Sequence, residues 1–251
     1  MPVYKANALV LHRINLGETD RILTLLCRES GKLSVVAKGA RGPKSKLSGA
    51  TELFTHSNLL LATGKSLDII SQGEIRESFP ALRVDLALMA RATYLCELTE
   101  RLVEDREPNQ DVFDLLLSAL YLLQRKADEP DVIVHAYELR LLTERGYAPQ
   151  LDACVKCGDP FIRQRAAFSP SLGGLLCAAD RFSVDDTISI TLETIQFMRR
   201  LLEGEPEDVV ALTPAVSALR ETARCMRWYI RYRSERTLKS ADFLDMLRAG
   251  N

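Results

Sequence analysis

Residues 31–46 read GKLSVVAKGARGPKSK, and this stretch decides the fold of the amino-terminal part of the chain. It begins as a run of β-forming residues and then becomes a loop interrupted by Gly39, Gly42 and Pro43. The stretch carries no acidic residue, and its cations are Lys32, Lys38, Arg41, Lys44 and Lys46. This pattern predicts a strand followed by an exposed cationic loop, which either binds an anionic ligand or is a solvated hairpin tip.

The sequence around this stretch predicts further short strands. Apolar runs rich in β-forming residues occupy 3–14, 21–27, 57–62 and 66–71, and Gly17, Gly31 and Gly64 mark the turns. Together with 32–37 they make five strands, which indicates a small closed or nearly closed β-barrel such as the OB-fold. We therefore predict that residues 1–80 form an OB-fold domain that binds nucleic acid. Tyr4 and Phe54 are its candidates for base stacking.

The distribution of charge supports an anionic partner for this part of the chain. The 251 residues have a net charge of -1, which by itself does not suggest nucleic acid. Residues 1–80, however, hold 11 Lys and Arg against 7 Asp and Glu, whereas residues 81–150 hold 8 against 13. No stretch approaches the ~20 apolar residues of a membrane span, and the start lacks the pattern of a signal peptide. The expectation is a cytoplasmic protein.

After Pro80 the apolar residues recur with the period of a helix. The periodicity predicts helices over 82–103, 112–123, 131–145, 191–202 and 213–232, the last with Thr213 and Pro214 as its N-cap and first residue. The predicted fold class is α+β. An OB-fold barrel (1–80) precedes a helical domain (81–150 and 188–251), and a small zinc-ribbon-like insert (151–187) interrupts the helical domain.

The insert contains a cysteine pattern typical of metal sites. Cys154 and Cys157 form a CxxC pair, and Cys177 follows a glycine-rich turn. A structural zinc ribbon carries a fourth cysteine three residues later, but this chain has Asp180 there. Either Asp180 completes a structural Zn²⁺ site, or the site has decayed.

An enzymatic role finds little support in the sequence. A zinc deaminase needs a His-x-Glu pair, and His12, His56 and His135 do not supply one. A metal-dependent hydrolase remains an alternative, but the acids near the cysteines lack a catalytic spacing. No GxxxxGK[ST] phosphate loop is present, which argues against an ATPase. The remaining cysteines, Cys27 and Cys225 among them, lie in apolar runs and are predicted to be buried.

The last predicted long helix carries a second cationic feature. Its arginines recur at steps of four, three and four residues and therefore share one face, with Trp228 and Tyr232 near its edge. These arginines are Arg220, Arg224, Arg227 and Arg231. The face is either solvated and paired with acids, or a docking surface for an acidic peptide or for phosphates.

Taken in order, these parts resemble the RecO family of bacterial recombination and repair mediators. The resemblance rests on ALVLHRINLGETDRILTLL (8–26), GKLSVVAKGARGPKSKLSGATELF (31–54), the CxxCG and GGLLC pair, and LKSADFLDML (238–247). It covers essentially the whole chain, and Gly39, Arg41 and Lys44 fall in the part that is similar to the family's basic loop. Asp180 departs from the four-cysteine pattern of zinc-bearing relatives.

The resemblance implies a DNA-binding mediator that is not an enzyme. Such proteins bind single- and double-stranded DNA and anneal complementary strands covered by single-strand-binding protein. With RecR they help to load RecA in DNA repair and recombination. The arginine face is then the expected site for the acidic carboxy-terminal tail of single-strand-binding protein. An RNA-binding OB-fold protein of translation or RNA processing is the alternative, because the same barrel and loop suit RNA.

Overall fold

The computed structural model describes residues 2–125, 129–160, 166–234 and 237–249. The chain divides into two compact units, one comprising Met1–Arg125 with Asp242–Asn251 and the other Lys126–Ala241. A five-stranded barrel followed by helices and a small second sheet confirms the predicted α+β class. The domain boundaries inferred from the sequence remain a prediction.

The first unit is built on a closed, OB-like barrel. Its strands are β1 (Val3–Leu16), β2 (Asp20–Cys27), β3 (Gly31–Ala37), β4 (His56–Ala62) and β5 (Asp68–Glu77). They pair in the order β1-β2-β3-β5-β4. All neighbours are antiparallel except β3 and β5, whose short parallel pairing closes the barrel at Val35 and Val36.

Alternation along the strands fills the barrel interior. Leu23 and Leu25 of β2, Val35 of β3 and Leu61 of β4 are all fully buried, and they belong to one core cluster. Successive side chains of a strand point to opposite faces, so the residues between them lie on the outside. Gly31 begins β3 at φ +71°, and a Cβ atom there would lie 2.3 Å from the carbonyl oxygen of Glu107. That turn therefore requires glycine.

Helices cover part of the barrel's outer surface. They are α1 (Ala81–Val84), α2 (Leu86–Leu102) and α3 (Gln110–Gln124), and a 3₁₀ turn (Gly49–Thr51) precedes β4. The prediction of one helix over 82–103 is wrong, because Asp85 has extended backbone and its carboxylate accepts from the backbone N–H groups of Ala87 and Leu88. Asp85 thus ends α1 and caps α2.

The second unit contains helices and a three-stranded antiparallel sheet of order β7-β6-β8. Its elements in chain order are α4 (Pro130–Glu144), β6 (Ala166–Ser169), β7 (Gly174–Leu176), β8 (Ile188–Ile190), α5 (Leu192–Glu203), α6 (Pro206–Val210) and α7 (Val216–Ser234). The last helix of the chain is α8 (Lys239–Ala249). The predicted N-cap at Thr213 is wrong, because the helix begins at Val216 and the backbone N–H of Leu219 donates to the Ala215 carbonyl at 3.1 Å. Within the described ranges, no helix is both long and apolar enough to cross a membrane.

Candidate nucleic-acid interface, metal centre and arginine groove

Four of the five predicted DNA-binding cations lie together on the loop between β3 and the 3₁₀ turn. We call residues 38–46 the basic loop; its cations are Lys38, Arg41, Lys44 and Lys46, and all four are exposed. The loop consists of successive turns, with backbone hydrogen bonds from Gly42 to Gly39 (3.1 Å) and from Ser45 to Gly42 (3.0 Å). The structure therefore presents four positive charges to solvent on one short segment.

The basic loop is attached to the turn between β1 and β2. The backbone N–H of Gly39 donates to the Asp20 carboxylate at 2.8 Å, and the backbone N–H of Arg41 donates to the Thr19 carbonyl at 2.9 Å. The Arg41 guanidinium donates to the Gly17 carbonyl at 3.0 Å. The Gly39 N–H and then the Thr19 hydroxyl hold the pKa of Asp20 below its usual range. Backbone bonds thus fix the loop and leave the lysine ammonium groups in solvent.

A second set of contacts fixes the segment that follows the loop. The Glu52 carboxylate accepts hydrogen bonds from the guanidinium groups of Arg13 and Arg21. Burial alone would raise the pKa of Glu52, but the bond from Arg21 and the charges of both arginines lower it below its usual value. Arg83 of α1 donates to the Leu53 carbonyl at 2.8 Å. Ion pairs to Glu52 and a hydrogen bond from α1 to Leu53 therefore hold the segment that follows the basic loop in sequence.

The fifth predicted cation, Lys32, lies apart from the basic loop. Its ammonium donates to the Glu100 carbonyl at 2.6 Å and pairs with Asp105 at 3.2 Å, and its side chain is 15% exposed. These partners belong to the end of α2 and the segment after it. Lys32 therefore connects the barrel to the helices, and we leave it out of the set that we propose for DNA.

The two candidate stacking residues of the barrel differ in their exposure. Phe54 is 1% exposed, so the prediction that it stacks is wrong. Tyr4 packs against the barrel core, and its hydroxyl donates to the Asp68 carboxylate at 2.5 Å. Burial, followed by that bond, raises the pKa of Tyr4. Tyr4 is partly exposed and stays a candidate for base stacking, whereas Phe54 does not.

The predicted metal ligands of the insert converge. The thiol sulfurs of Cys154, Cys157 and Cys177 and a carboxylate oxygen of Asp180 all lie within 4.8 Å of one another. The Sγ atoms of Cys157 and Cys177 are 3.8 Å apart, and an Asp180 oxygen is 3.2 Å from the sulfurs of Cys154 and Cys177. A tetrahedron with Zn–S bonds of ~2.3 Å has S–S edges of about 3.8 Å, so the four ligand atoms fit zinc.

Backbone contacts organise this cluster around Cys154. Burial by itself raises the pKa of the Cys154 thiol. Hydrogen bonds from the backbone N–H groups of Cys157, Cys177 and Lys156 lower it by more, so the net pKa lies below its usual value. Hydrogen bonds from the three thiols, with Cys157 the largest contributor, lower the pKa of Asp180. Val155 donates from its backbone to Leu175 of β7 at 2.9 Å, which joins the two cysteine turns. The site can hold a structural metal, since all four positions are protein ligands.

A groove of about 1340 Å³ in the second unit runs beside α7. The helix lines it with Arg224, Trp228, Arg231 and Tyr232. Residues 185–189 also line it, and the Ser189 carbonyl accepts a hydrogen bond from Arg224 at 2.9 Å. Trp228 is 53% exposed, and the Arg231 guanidinium lies 5.8 Å from its ring centroid. Arginines beside exposed aromatic rings suit a peptide that carries both carboxylates and apolar side chains.

The groove contains half of the predicted arginine set. Arg224 and Arg231 line it, whereas Arg220 is exposed outside it and Arg227 is not among its lining residues. Arg233 was not predicted, and its guanidinium stacks at 5.0 Å from the ring of Tyr229. The step pattern identified the helix face, but it gave no information about which segment lies opposite.

Comparisons with known proteins cover both parts of the chain. Residues 1–79 match the family described as Recombination protein O N terminal, and residues 83–242 match Recombination protein O C terminal. A DNA repair protein RecO from Symbiobacterium thermophilum is 40% identical over 253 residues, which is 99% of each chain. A DNA repair protein RecO from Heliobacterium modesticaldum is 38% identical over 96% of this chain and 88% of that protein. One from Bifidobacterium adolescentis is 36% identical over 98% of this chain and all of that protein.

Proposed function

This chain belongs to the RecO family of DNA repair proteins, and we propose that it acts as a DNA-binding recombination mediator rather than an enzyme. In this proposal it binds single- and double-stranded DNA, anneals complementary strands covered by single-strand-binding protein, and works with RecR to help load RecA. A cytoplasmic location is part of the proposal. The observation that carries it is the basic loop, where four exposed cations share a segment held by backbone hydrogen bonds.

The chemistry of the basic loop suits phosphates rather than a particular base sequence. Lysine ammonium groups are point charges on flexible stems, and they neutralise phosphates without reading base edges. Within the described part of the chain, the ammonium groups of Lys44 and Lys46 form no hydrogen bond or ion pair with the protein. Neutralising phosphates releases counterions, so the affinity for any strand falls steeply with salt. This independence of sequence is what annealing of arbitrary complementary strands requires.

The arginine groove is the proposed receptor for the acidic tail of single-strand-binding protein. Arg224 and Arg231 supply positive charge, and the exposed ring of Trp228 supplies an apolar surface for tail side chains. Arg–carboxylate pairs are stronger and more directional than pairs with lysine. The groove thus complements the DNA site, because it recognises the protein that covers the strand.

The cysteine cluster has a supporting role in this proposal. Cys154, Cys157, Cys177 and Asp180 would hold a structural Zn²⁺, which supplies a cross-link between two turns and no reaction chemistry. The four cluster residues fix the position of Asp180, where the segment that leads to β8 begins. That segment forms one wall of the arginine groove. The metal therefore supports peptide recognition and does not contact DNA.

The first test is fluorescence anisotropy of a labelled single-stranded oligonucleotide across a salt series. The native protein is compared with a variant in which the four cations of the basic loop are alanine. If the loop neutralises three or four phosphates, the slope of log affinity against log salt falls by roughly 0.7 for each phosphate that the variant leaves unneutralised. An unchanged slope would show that the loop is a solvated turn and would overturn the proposal.

A matched control separates direct contacts from a general loss of charge. The control variant also loses four exposed cations of the first unit, which lie outside the loop: Lys5, Lys65, Arg76 and Arg101, each changed to alanine. We expect this variant to retain most of the native salt slope. Competition by an RNA strand of the same sequence completes the experiment, since preference for RNA would favour the RNA-binding alternative.

A further inference from the structure

A continuous line of aliphatic side chains crosses the outside of the barrel. Cross-strand partners point to the same face of a sheet, and the register pairs Ile14 with Ile22, Ile22 with Val36, and Val36 with Ile69. We call these four residues the aliphatic row. They belong to four strands, β1, β2, β3 and β5, so the row spans about 14 Å at ~4.8 Å per strand.

The row faces outward and is accessible. Its neighbours along the strands, Leu23, Val35 and Ile70, point into the core and are buried. Ile14 is 54% exposed, and the other members of the row are partly exposed. Because these residues lie on adjacent strands, they form one contiguous apolar strip rather than scattered single residues.

Helix α2 contacts another part of the same strands. Thr24 of β2 donates to the Glu100 carboxylate of α2, and Lys32 of β3 donates to the Glu100 carbonyl. On β3, the outward-facing Lys32 therefore contacts α2, and the outward-facing Val36, four residues later, belongs to the row. The basic loop begins two residues beyond Val36. The row is thus a partly exposed strip of the barrel surface that borders the loop.

Charge complementarity identifies the occupant of this surface. The basic loop adjoins the row with four cations and no acid, and the Asp20 carboxylate beside the loop already accepts from the Gly39 N–H. A single strand has anionic phosphates and bases with accessible π-faces, and it therefore matches a cationic rim beside an apolar strip. We propose that the aliphatic row receives the bases of single-stranded DNA while the basic loop binds its phosphates. This inference rests on the proposed function and adds that the barrel distinguishes single strands from duplex.

The physical reason for that distinction is the exposure of the bases. In a single strand the faces of the bases are accessible, and contact with side chains removes apolar surface from water. In a duplex the bases are stacked and paired, so the row meets no base face. With Phe54 buried and the Tyr4 hydroxyl bonded to Asp68, the row supplies an aliphatic platform beside the basic loop.

The test uses a double variant, Ile14→Thr with Val36→Thr, because threonine keeps the β-branched shape while replacing carbon by a hydroxyl. Anisotropy is measured with a single strand and with a duplex of the same length. Each methyl group removed from contact with a base corresponds to roughly fourfold in affinity, so we expect single-strand binding to weaken by about tenfold. Duplex affinity and both salt slopes should stay at native values.

Two comparisons keep the result interpretable. Val84→Thr on α1 removes an equally apolar side chain that is 87% exposed and outside the row, and it should bind both ligands normally. For the native protein, an abasic single strand should bind about tenfold more weakly than the normal strand, and the double variant should not distinguish the two. The abasic strand tests the proposal even if the double variant fails to fold.

Other outcomes overturn the inference in recognisable ways. Equal losses for single strand and duplex would show that the substitutions disturb the barrel and not base contacts. Unchanged DNA affinity together with a changed oligomeric state in light scattering would make the row a surface for a second copy of the chain. If instead the basic-loop variant keeps its salt slope while the row variant weakens single-strand binding, the proposed phosphate site fails and the base site stands.

Discussion

The basic loop and the arginine groove carry the same kind of charge in different surroundings. The loop presents its cations on turns in solvent, and the Asp20 carboxylate beside it accepts from a backbone N–H. The groove is lined by Arg224 and Arg231 together with the exposed rings of Trp228 and Tyr232, and also by Asp185 and Asp186. A phosphate chain needs charge without a fixed shape, whereas a peptide tail needs charge and pockets. The neighbours of a cation, more than its charge, indicate which anion it binds.

Reversing charge in the loop is the strongest test of this contrast. The variant Lys44→Glu with Lys46→Glu no longer neutralises two phosphates and adds repulsion, so at ~0.1 M salt single-strand affinity should fall on the order of a hundredfold. Its affinity for an acidic tail peptide should stay within about twofold, because the groove is unchanged. Parallel anisotropy titrations with the oligonucleotide and the peptide measure both. A comparable fall in peptide affinity would show that the two surfaces are not separate.

The groove should give the opposite pattern. Replacing Arg224 and Arg231 by alanine removes its two guanidinium groups, and we expect about tenfold weaker peptide binding, or ~1.4 kcal/mol. Single-strand affinity should change by less than about twofold. Arg220→Ala is the matched control, because this residue is exposed on the same helix but outside the groove. A loss of peptide affinity with Arg220→Ala as large as with the double variant would indicate a general field effect.

The metal site should affect the groove and leave the loop alone. Asp180→Ala removes one of the four ligand atoms, so purified protein should retain less zinc after dialysis against a chelator. Because the groove wall at 185–189 follows Asp180, peptide binding should weaken about threefold, which is ~0.7 kcal/mol. Single-strand affinity should not change.

A cysteine at the same position should change zinc retention in the opposite direction to alanine. Asp180→Cys completes the four-cysteine set of a structural zinc ribbon and should retain zinc more strongly than the native protein. Elemental analysis and peptide anisotropy on both variants provide the measurements. Weaker DNA binding with intact peptide binding would contradict the assignment of the metal to the groove.

Local sequence patterns predicted the strands and the metal ligands of this molecule. The exposure and the partners of individual side chains depend on long-range contacts, which these patterns do not show. Alternation placed all five strands, and the cysteine spacing correctly grouped three thiols with Asp180. Sequence did not reveal that Lys32 reaches Glu100, or that Phe54 is buried, because each depends on which distant segments pack together. The aliphatic row was missed for the same reason, since strand register creates it. Periodicity alone cannot show which outward positions the helices leave uncovered.

The smallest predicted effect is the change in DNA affinity when Asp20 is replaced. Whether the affinity rises or falls shows whether Asp20 matters through its negative charge or through its hydrogen bond to the loop. If the basic loop works through charge alone, removing this carboxylate strengthens DNA binding, since an acid next to the cations is removed. If the loop must be held in place, Asp20→Ala weakens binding, because the Gly39 N–H loses the acceptor 2.8 Å away. Gly39 has φ +63°, a backbone conformation that the bond helps to maintain. We expect Asp20→Ala to bind a single strand about threefold more weakly, a smaller effect than removing one full phosphate interaction at ~0.1 M salt.

Asp20→Asn resolves the two contributions, because the amide oxygen still accepts from Gly39 while the charge is gone. This variant should bind about twofold more tightly than the native protein, a gain that salt screens. Anisotropy at two salt concentrations measures both variants. If alanine and asparagine both tighten binding, the anchor to the β1–β2 turn is irrelevant, and the loop differs from the arginine groove merely in lacking aromatic neighbours. Opposite signs would mean that the backbone which presents the lysines is itself part of the DNA site.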